Sequence, residues 1–420
     1  MKRRNQWVLF AILLLALINL SPNEKSAVVG PKDQGRTPEP VIPPSQETMR
    51  DNGKIRVVVR LPESEFNELQ AMNEAFMQEH HAEVNLVNLP IKGSYSLQQQ
   101  FELGESPDVV LLDNVWVRHY AAGGFLLPTE SYYSGSITGE MLSASLAQDE
   151  WNGYVWGVPL DADPYVWVYQ NESLKEMGHS FPASPEGWKK IIEAWGELDS
   201  PPYLLGLDYG DPYAVMSLLW QLGAKGQGKP EASDSFFNKK GLNEAVALLE
   251  QLRPYIINTG ETGTSDQWLG GSRQNALIEL IPSTETRKYP YREMKVYFPE
   301  PTDSGNKMWI AGRSFAVTAR SGNRETAGLW ISAITSPIQQ RQWYEKTNHL
   351  PTIKTLYYQT VRNGLPDWVS ASFVKGQGFV QPVMAKLPEL MQQLQGASQS
   401  YLRSELTAKQ YLKQLDGLNP

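Results

Sequence analysis

From Ile55 onward, short β-branched runs alternate with amphipathic stretches, and this order constrains the chain more than any other feature. Ile55 to Leu61 (IRVVVRL) is rich in residues that suit a pleated surface, so it reads as a strand. Glu63 to Gln78 then places Phe66, Leu69, Met72, Phe76 and Met77 at helical spacing. Ala82 to Leu89 alternates apolar with polar residues, as a half-buried strand does. A short helix over Leu97 to Leu103 is broken by Gly104-Glu105-Ser106-Pro107, and Asp108 to Leu112 (DVVLL) has the continuous apolar character of an interior strand. Strand–helix–strand–helix–strand implies an α/β layer on a mainly parallel sheet. Ligands in such sheets bind beyond the carboxyl ends of the strands. Here those ends are Leu61-Pro62-Glu63-Ser64 and Leu112-Asp113-Asn114-Val115-Trp116.

Further along, helices dominate. Ser184 is placed to cap a helix over Pro185 to Leu198, with Pro185 in its first turn. Tyr213 to Leu222 and Leu242 to Leu252 follow, the latter carrying an apolar stripe of Leu242, Ala245, Val246, Leu248, Leu249 and Leu252. Phe315 to Ala319 reads as a strand. Helices are expected over Glu325 to Ile334, Ile338 to Lys346, Ala385 to Leu394 and Tyr401 to Leu415. At 420 residues the chain has room for two or three domain-sized cores. A formal net charge of -8 argues against nucleic-acid binding, which runs on clustered Lys and Arg. The chain has no cysteine, which excludes disulfides, thiolate metal sites, a Cys nucleophile and a lipidated Cys.

The N-terminus points to export. Lys2-Arg3-Arg4 precedes the unbroken apolar run Trp7 to Ile18, about the length of a signal-peptide core and too short for the ~30 Å hydrocarbon layer. Residues 1–20 are therefore a signal peptide or an uncleaved anchor. Residues 21–53 hold Pro22, Pro31, Pro38, Pro40, Pro43 and Pro44 in a polar stretch without hydrophobic period. They read as a disordered tether, reaching about 100 Å if extended at ~3.1 Å per residue.

Several segments, in order, resemble the extracytoplasmic solute-binding proteins of ABC transporters, in the sugar-binding group that includes maltose-binding protein. One runs from Gly104 through Asp108-Val-Val-Leu-Leu-Asp-Asn-Val-Trp116 to His119-Tyr-Ala-Ala-Gly-Gly-Phe-Leu-Leu-Pro128. A second is Tyr154-Val-Trp-Gly-Val-Pro159 with Asp161 to Tyr169 and Gly178 to Trp188. A third is Ala311-Gly-Arg-Ser-Phe-Ala-Val317, then Glu325 to Ser336 and Leu350-Pro-Thr352. The resemblance implies an α/β, two-lobed periplasmic-binding-protein-like fold, with a ligand cleft between lobes joined by hinge segments. By analogy the first lobe is 54–161 with 312–354, and the second is 166–306 with 358–420. It also implies a monomer outside the cytoplasm that captures a small-molecule solute, most simply a carbohydrate, closes on it and delivers it to ABC permease subunits. It implies no cofactor, no metal and no catalysis.

Candidate ligand residues follow from strand ends and from that resemblance. Asp113, Asn114 and Trp116 end the Asp108 strand, where an aromatic face can stack on a sugar and polar groups can bond its hydroxyls. Trp116 would otherwise pack on the next helix. Asp161 and Asp163, in Pro159-Leu-Asp-Ala-Asp-Pro164, fall where the chain first crosses between lobes, and Asp163 matches an acidic ligand contact of the family. A solvated hinge turn is the plainer reading of that segment. Asp211-Pro212-Tyr213 offers an acid and an aromatic ahead of a helix, with Asp211 also placed to cap it. Within Gln274 to Ser283, Ser283 stands where the family commonly has an aromatic, so Trp268 and Trp309 are the candidates to replace it. Arg313 suits an acidic sugar or a salt bridge near the hinge. His80 and His81 read as surface residues rather than metal ligands.

Two other functions remain open from sequence. One is an exported carbohydrate-active enzyme using Asp161 and Asp163. Their two-residue separation is taken to point them to opposite faces of a strand, against a pair acting on one bond. The other is a sensor-type binding protein for a non-sugar solute.

Overall fold

The computed structural model describes residues 51–91, 97–135, 137–224, 236–260, 276–289, 294–300, 308–358, 364–369, 373–374, 382 and 384–418. The expected signal peptide, residues 21–50 of the tether, and Trp268 lie outside these described residues. Among the described residues no helix is long and apolar enough to cross a membrane.

Strand β1 (Lys54–Val59) buries Ile55, Val57, Val58 and Val59, and pairs in parallel with β2 (Glu83–Asn88) and β3 (Val109–Asp113). The crossover helix Glu63–His80 lays Leu69, Met72 and Phe76 onto this sheet, as its spacing requires. Burying each contributes about 1.5–3 kcal/mol. His81 ends the helix in the left-handed region at φ 52°, and both histidines are exposed.

The expectation of a mainly parallel sheet holds only in part. A two-residue hairpin, β4 (Glu150–Trp151) with β5 (Tyr154–Val155), leads into β6 (Val158–Gln170), whose thirteen residues run through the centre of the molecule. The remaining strands are β7 (Leu205–Leu207), β8 (Ile256–Asn258), β9 (Ile278–Pro282), β10 (Met294–Tyr297), β11 (Ile310–Val317) and β12 (Leu350–Pro351). The sheet order is β2-β1-β3-β11-β6-β9-β7-β8, with β10 and β12 also on β6. The outer strands are parallel at both ends, but every pairing of β6, and that of β11 with β3, is antiparallel. The chain enters and re-enters the centre from opposite directions, which parallel crossovers alone cannot do.

The first seven residues of β6, all but Leu160, pair with β11 and β12, and the last six pair with β9 and β10. Two prolines lie in this central strand, where each lacks a donor. Pro159 sits at a bulge that leaves Leu160 unmatched between Arg313 and Ser314, and Pro164 sits where the partner strand changes. The strand expected from Phe315 to Ala319 begins five residues earlier, at Ile310, so Arg313 lies inside it.

Apolar packing falls on two sides of this central strand. One side gathers aliphatic residues from β1, β3 and the helices Glu63–His80 and Arg324–Ile334, with Phe315, Trp330 and Trp343. The other is larger and more aromatic, holding Trp167, Trp188, Trp195, Trp220 and Trp309 with the helices Pro185–Gly196, Pro212–Gln221, Lys239–Leu252 and Leu387–Leu402. Ser184 caps its helix, its Oγ accepting from the Gly187 amide at 3.1 Å. The Leu242 stripe is buried as read. The C-terminal helices divide later than expected. Ala397, Ser398 and Tyr401 are buried within Leu387–Leu402, and Tyr401 stacks at 4.3 Å on Tyr411 of the next helix, Ala408–Asp416. That packing carries the helix through Gly396 and Ser398, weaker helix formers than the residues before them.

Candidate functional site

Where β6 and β11 cross the centre, their side chains assemble a charged group. Asp161 of β6 is fully buried opposite Arg313 of β11. The Arg313 backbone N–H donates to Asp161 Oδ1 at 3.1 Å, Nε donates to Oδ2 at 3.1 Å and Nη2 donates to Oδ2 at 2.5 Å. Trp343 Nε1 donates to the same Oδ2 at 2.9 Å. Arg313 Nη1 reaches Glu65 Oε2 at 2.6 Å, and His349 Nε2 lies 3.2 Å from Glu65 Oε1. Burial alone would raise the Glu65 carboxyl, but the His349 hydrogen bond and the Arg313 charge override it and hold it down at about 2. Burial likewise opposes the Arg313 charge, yet Asp161 and Glu65 drive that guanidinium further up.

Asp163 is also engaged by the protein. Its Oδ1 accepts from Ser283 Oγ at 2.8 Å and from the Thr284 amide at 2.9 Å, and its Oδ2 accepts from Thr284 Oγ1 at 2.8 Å. Ser283, standing in place of an aromatic, therefore ties the end of β9 to the crossing strand. The segment holding the two aspartates is strand, not a solvated turn. The expectation of opposite faces is also corrected: side chains two apart on a strand share a face. Both carboxylates flank His349, whose Nδ1 lies 3.8 Å from Asp161 Oδ2 and 4.0 Å from Asp163 Oδ2. What argues against paired acid–base chemistry is that both are consumed by structural partners.

A second, aromatic group lies beside the first. Asp211 caps the Pro212–Gln221 helix, its Oδ1 accepting from the amides of Tyr213 at 2.9 Å and Ala214 at 3.2 Å. Its Oδ2 accepts from the Tyr165 hydroxyl at 2.5 Å. Burial pushes the Asp211 carboxyl up to about 6 despite these donors. Tyr213, half-buried, stacks on Trp309 with centroids 4.9 Å apart, and Trp309 stacks on Trp220 at 6.0 Å. Trp309 is fully buried and its amide donates to Ser217 Oγ at 2.9 Å, so it backs Tyr213 and presents no face of its own.

Asp113 ends β3 opposite Arg313. Water reaches its side chain, yet protein surrounds it, as at the floor of a cleft. The loss of bulk hydration pushes its carboxyl up, opposed first by Arg313. The Asp113 charge in turn helps raise the Tyr213 phenol, after burial, which places the two in each other's field. Asn114 is buried, its Oδ1 accepting from Ser314 Oγ at 2.9 Å. Trp116 is half-buried on the Asn114–Ala122 helix, stacked on Tyr120 at 5.7 Å, and it packs against the aromatic core as well as the cluster of its own helix. The structure thus ties eight of the ten expected residues to the central crossing; Trp116 contacts its own helix and the apolar clusters, and Trp268 lies outside the described residues. Sequence reasoning missed Glu65 and His349. Glu65 lies one residue past the strand end Leu61–Ser64, and His349 one residue before Leu350-Pro-Thr352.

A mixed sheet bridging two cores, with acids and aromatics where it crosses, is the two-lobed fold of the periplasmic binding proteins, with its cleft between lobes joined by hinge segments. Solved structures agree. The GacH receptor of Streptomyces glaucescens, determined unliganded and with acarbose, superposes with a TM-score of 0.69 at 20% identity, covering 87% of this chain and 98% of the other. The sugar-binding protein MalE of Xanthomonas citri gives 0.68 at 15% identity, over 87% and 96%. The chain belongs to the bacterial extracellular solute-binding proteins, whose family model matches residues 71–363. A maltotriose-binding protein of Pyrococcus abyssi is 18% identical over 302 residues, and the match spans 63% of each protein.

Proposed function

We propose that this protein captures a sugar or oligosaccharide in the cleft between its lobes and delivers it to an ABC permease, performing no chemistry on it. The observation that carries this reading is the water-accessible carboxylate of Asp113 with half-buried Tyr213 in its field and half-buried Trp116 on the helix that follows it. Aromatic faces take the C–H face of a sugar ring, and a carboxylate accepts from its hydroxyls. Asp211 and Asn114 support that surface from behind, and Asp161, Asp163, Arg313 and Trp309 form its frame. The lobes are taken as 54–161 with 312–354 and 166–306 with 358–420. Residues 1–20 would direct export and residues 21–53 would tether a monomer outside the cytoplasm. The solved relatives bound to acarbose and to maltotetraose make α-linked glucose oligomers the first ligands to test.

Isothermal titration calorimetry with maltotriose, acarbose, a polyamine and phosphate tests the reading. Trp116→Ala and Tyr213→Ala should each weaken sugar binding tenfold or more, about 1.4 kcal/mol per tenfold. Binding of the polyamine or phosphate alone would overturn the sugar assignment. Release of reducing ends from a glycan would overturn the absence of catalysis.

A further inference from the structure

The hydrogen bonds behind Asn114 need one more proton than an ionised site supplies. Ser314 Oγ lies 2.9 Å from Asn114 Oδ1 and 2.5 Å from Asp149 Oδ2. A hydroxyl carries one hydrogen and cannot donate to two acceptors at once. The missing proton has two possible sources. Either Asp149 is a neutral acid, or the Asn114 amide is reversed so that its nitrogen faces Ser314.

The surroundings decide between them. Asp149 has no solvent exposure, and its Oδ1 has no hydrogen-bond partner among the described residues. The charged groups facing it are Arg118, from the Asn114–Ala122 helix, and Glu150, the first residue of β4. The neutral phenol of Tyr132 also lies in its field. Arg118 forms no salt bridge with it among the described residues; its Nε donates to the Glu150 carbonyl at 2.6 Å and its Nη2 to the Ala147 carbonyl. A buried carboxylate with one hydroxyl donor and no ion pair is heavily penalised, and protonation removes the penalty. Burial accordingly pushes Asp149 up to about 8, against the Ser314 hydrogen bond and the Arg118 charge.

On the far side of the amide, Asn114 Nδ2 has no hydrogen-bond partner among the described residues, so the choice rests on the Asp149 side, where a fully buried carboxylate has one hydroxyl donor and no salt bridge.

We propose that Asp149 is held in the folded protein as a neutral carboxylic acid that donates to Ser314, and that Ser314 in turn donates to Asn114 Oδ1. Asp149 is thus a positioning residue. It fixes the turn from β3 into the Asn114–Ala122 helix, which carries Asp113 and Trp116. The ligand-binding consequence rests on the proposed function; the protonation state does not. The sign with pH is fixed. The folded protein keeps a proton that the unfolded chain loses near pH ~3.9, so this site's contribution to stability is greatest below that value. It declines as pH rises toward about 8. Above that, the ionised Asp149 competes for the Ser314 hydrogen and the turn loosens.

The full chain and its Asp149→Asn variant, an amide that can still donate to Ser314, test this by infrared difference spectroscopy and by denaturation across pH. The expected result at about pH 6 is a protonated-carboxyl band present in the wild type and missing in the variant. The stability curve of the variant should be flatter between about pH 4 and 8. No band difference, or an unchanged pH slope in a folded variant, would overturn the proposal. Should Asp149→Asn fail to fold, Ser314→Ala serves instead. It should shift the protonated-carboxyl band without removing it, and an unmoved band would overturn the proposal. Maltotriose affinity should fall several-fold from about pH 7 to 9 in the wild type and hold steady in Asp149→Asn. A flattened stability curve with maltotriose bound by neither protein would support the neutral acid and overturn the sugar reading.

Discussion

The two flanks of the central crossing contain similar residue types used differently. On one flank Arg313 holds Asp161 and Glu65, and beside them Asp163 accepts from Ser283 and Thr284, all in charge-assisted hydrogen bonds. On the other, Trp116 and Tyr213 leave part of each ring uncovered, and Asp113 keeps access to water. A buried charge must be paired to persist, whereas a half-covered aromatic face is stable unpartnered and remains free for a ligand. Under the proposed function the charged flank is framework and the aromatic flank is the binding surface, although sequence motifs favour aspartates of both.

Three measurements would break or sharpen that contrast. The largest effect is expected from Arg313→Met, which strands Asp161 and Glu65 without their cation. Stability should fall by about 3–5 kcal/mol in chemical denaturation. A stable variant that has lost ligand binding would instead move Arg313 to the binding surface. Next is Glu65. Its folded carboxyl is depressed to about 2, so its contribution is present above the unfolded value near ~4.3 and is lost as pH falls through about 2. Glu65→Gln should cost about 2 kcal/mol at neutral pH and flatten the acid limb of the stability curve. The smallest change in stability, within about 0.5 kcal/mol, is expected for Tyr213→Phe, which keeps the stack on Trp309. A several-fold loss of sugar affinity in that variant would show the phenol bonding the ligand, and no loss would leave stacking as its whole role.

What the sequence disclosed was local. The Leu242 stripe, the Ser184-Pro185 helix start and the β-branched run at Ile55 each encode their element within a dozen residues. Asp211 as a cap was readable for the same reason. The plainer reading of Pro159 to Pro164 as a solvated hinge turn does not hold, because a bulge and a change of partner strand absorb both prolines within a strand. Of the charged flank, a salt bridge at Arg313 was readable, but its partner Glu65 and the neighbouring His349 were not. Glu65 meets Arg313 across 248 residues of sequence and His349 across 284, and no local pattern announces either contact. The resemblance to solute-binding proteins gave the fold, but it named Asp163 as a ligand contact without seeing that Ser283 and Thr284 would claim it.

The thirteen-residue strand β6 has a mechanical consequence. Its ladder passes from Ile310 opposite Pro164 to Pro282 opposite Tyr165 with no unpaired residue between, and the Tyr165 amide donates to the Trp309 carbonyl at 2.9 Å. One half of the molecule cannot slide past the other without breaking that ladder, and it cannot swing freely as two bodies on a loose string would. Motion that keeps the ladder is bending and torsion of a shared rod. Such a rod stores elastic energy as it turns and returns it on release, so the angle between the halves would be set by the stiffness of a few backbone pairs around Pro164.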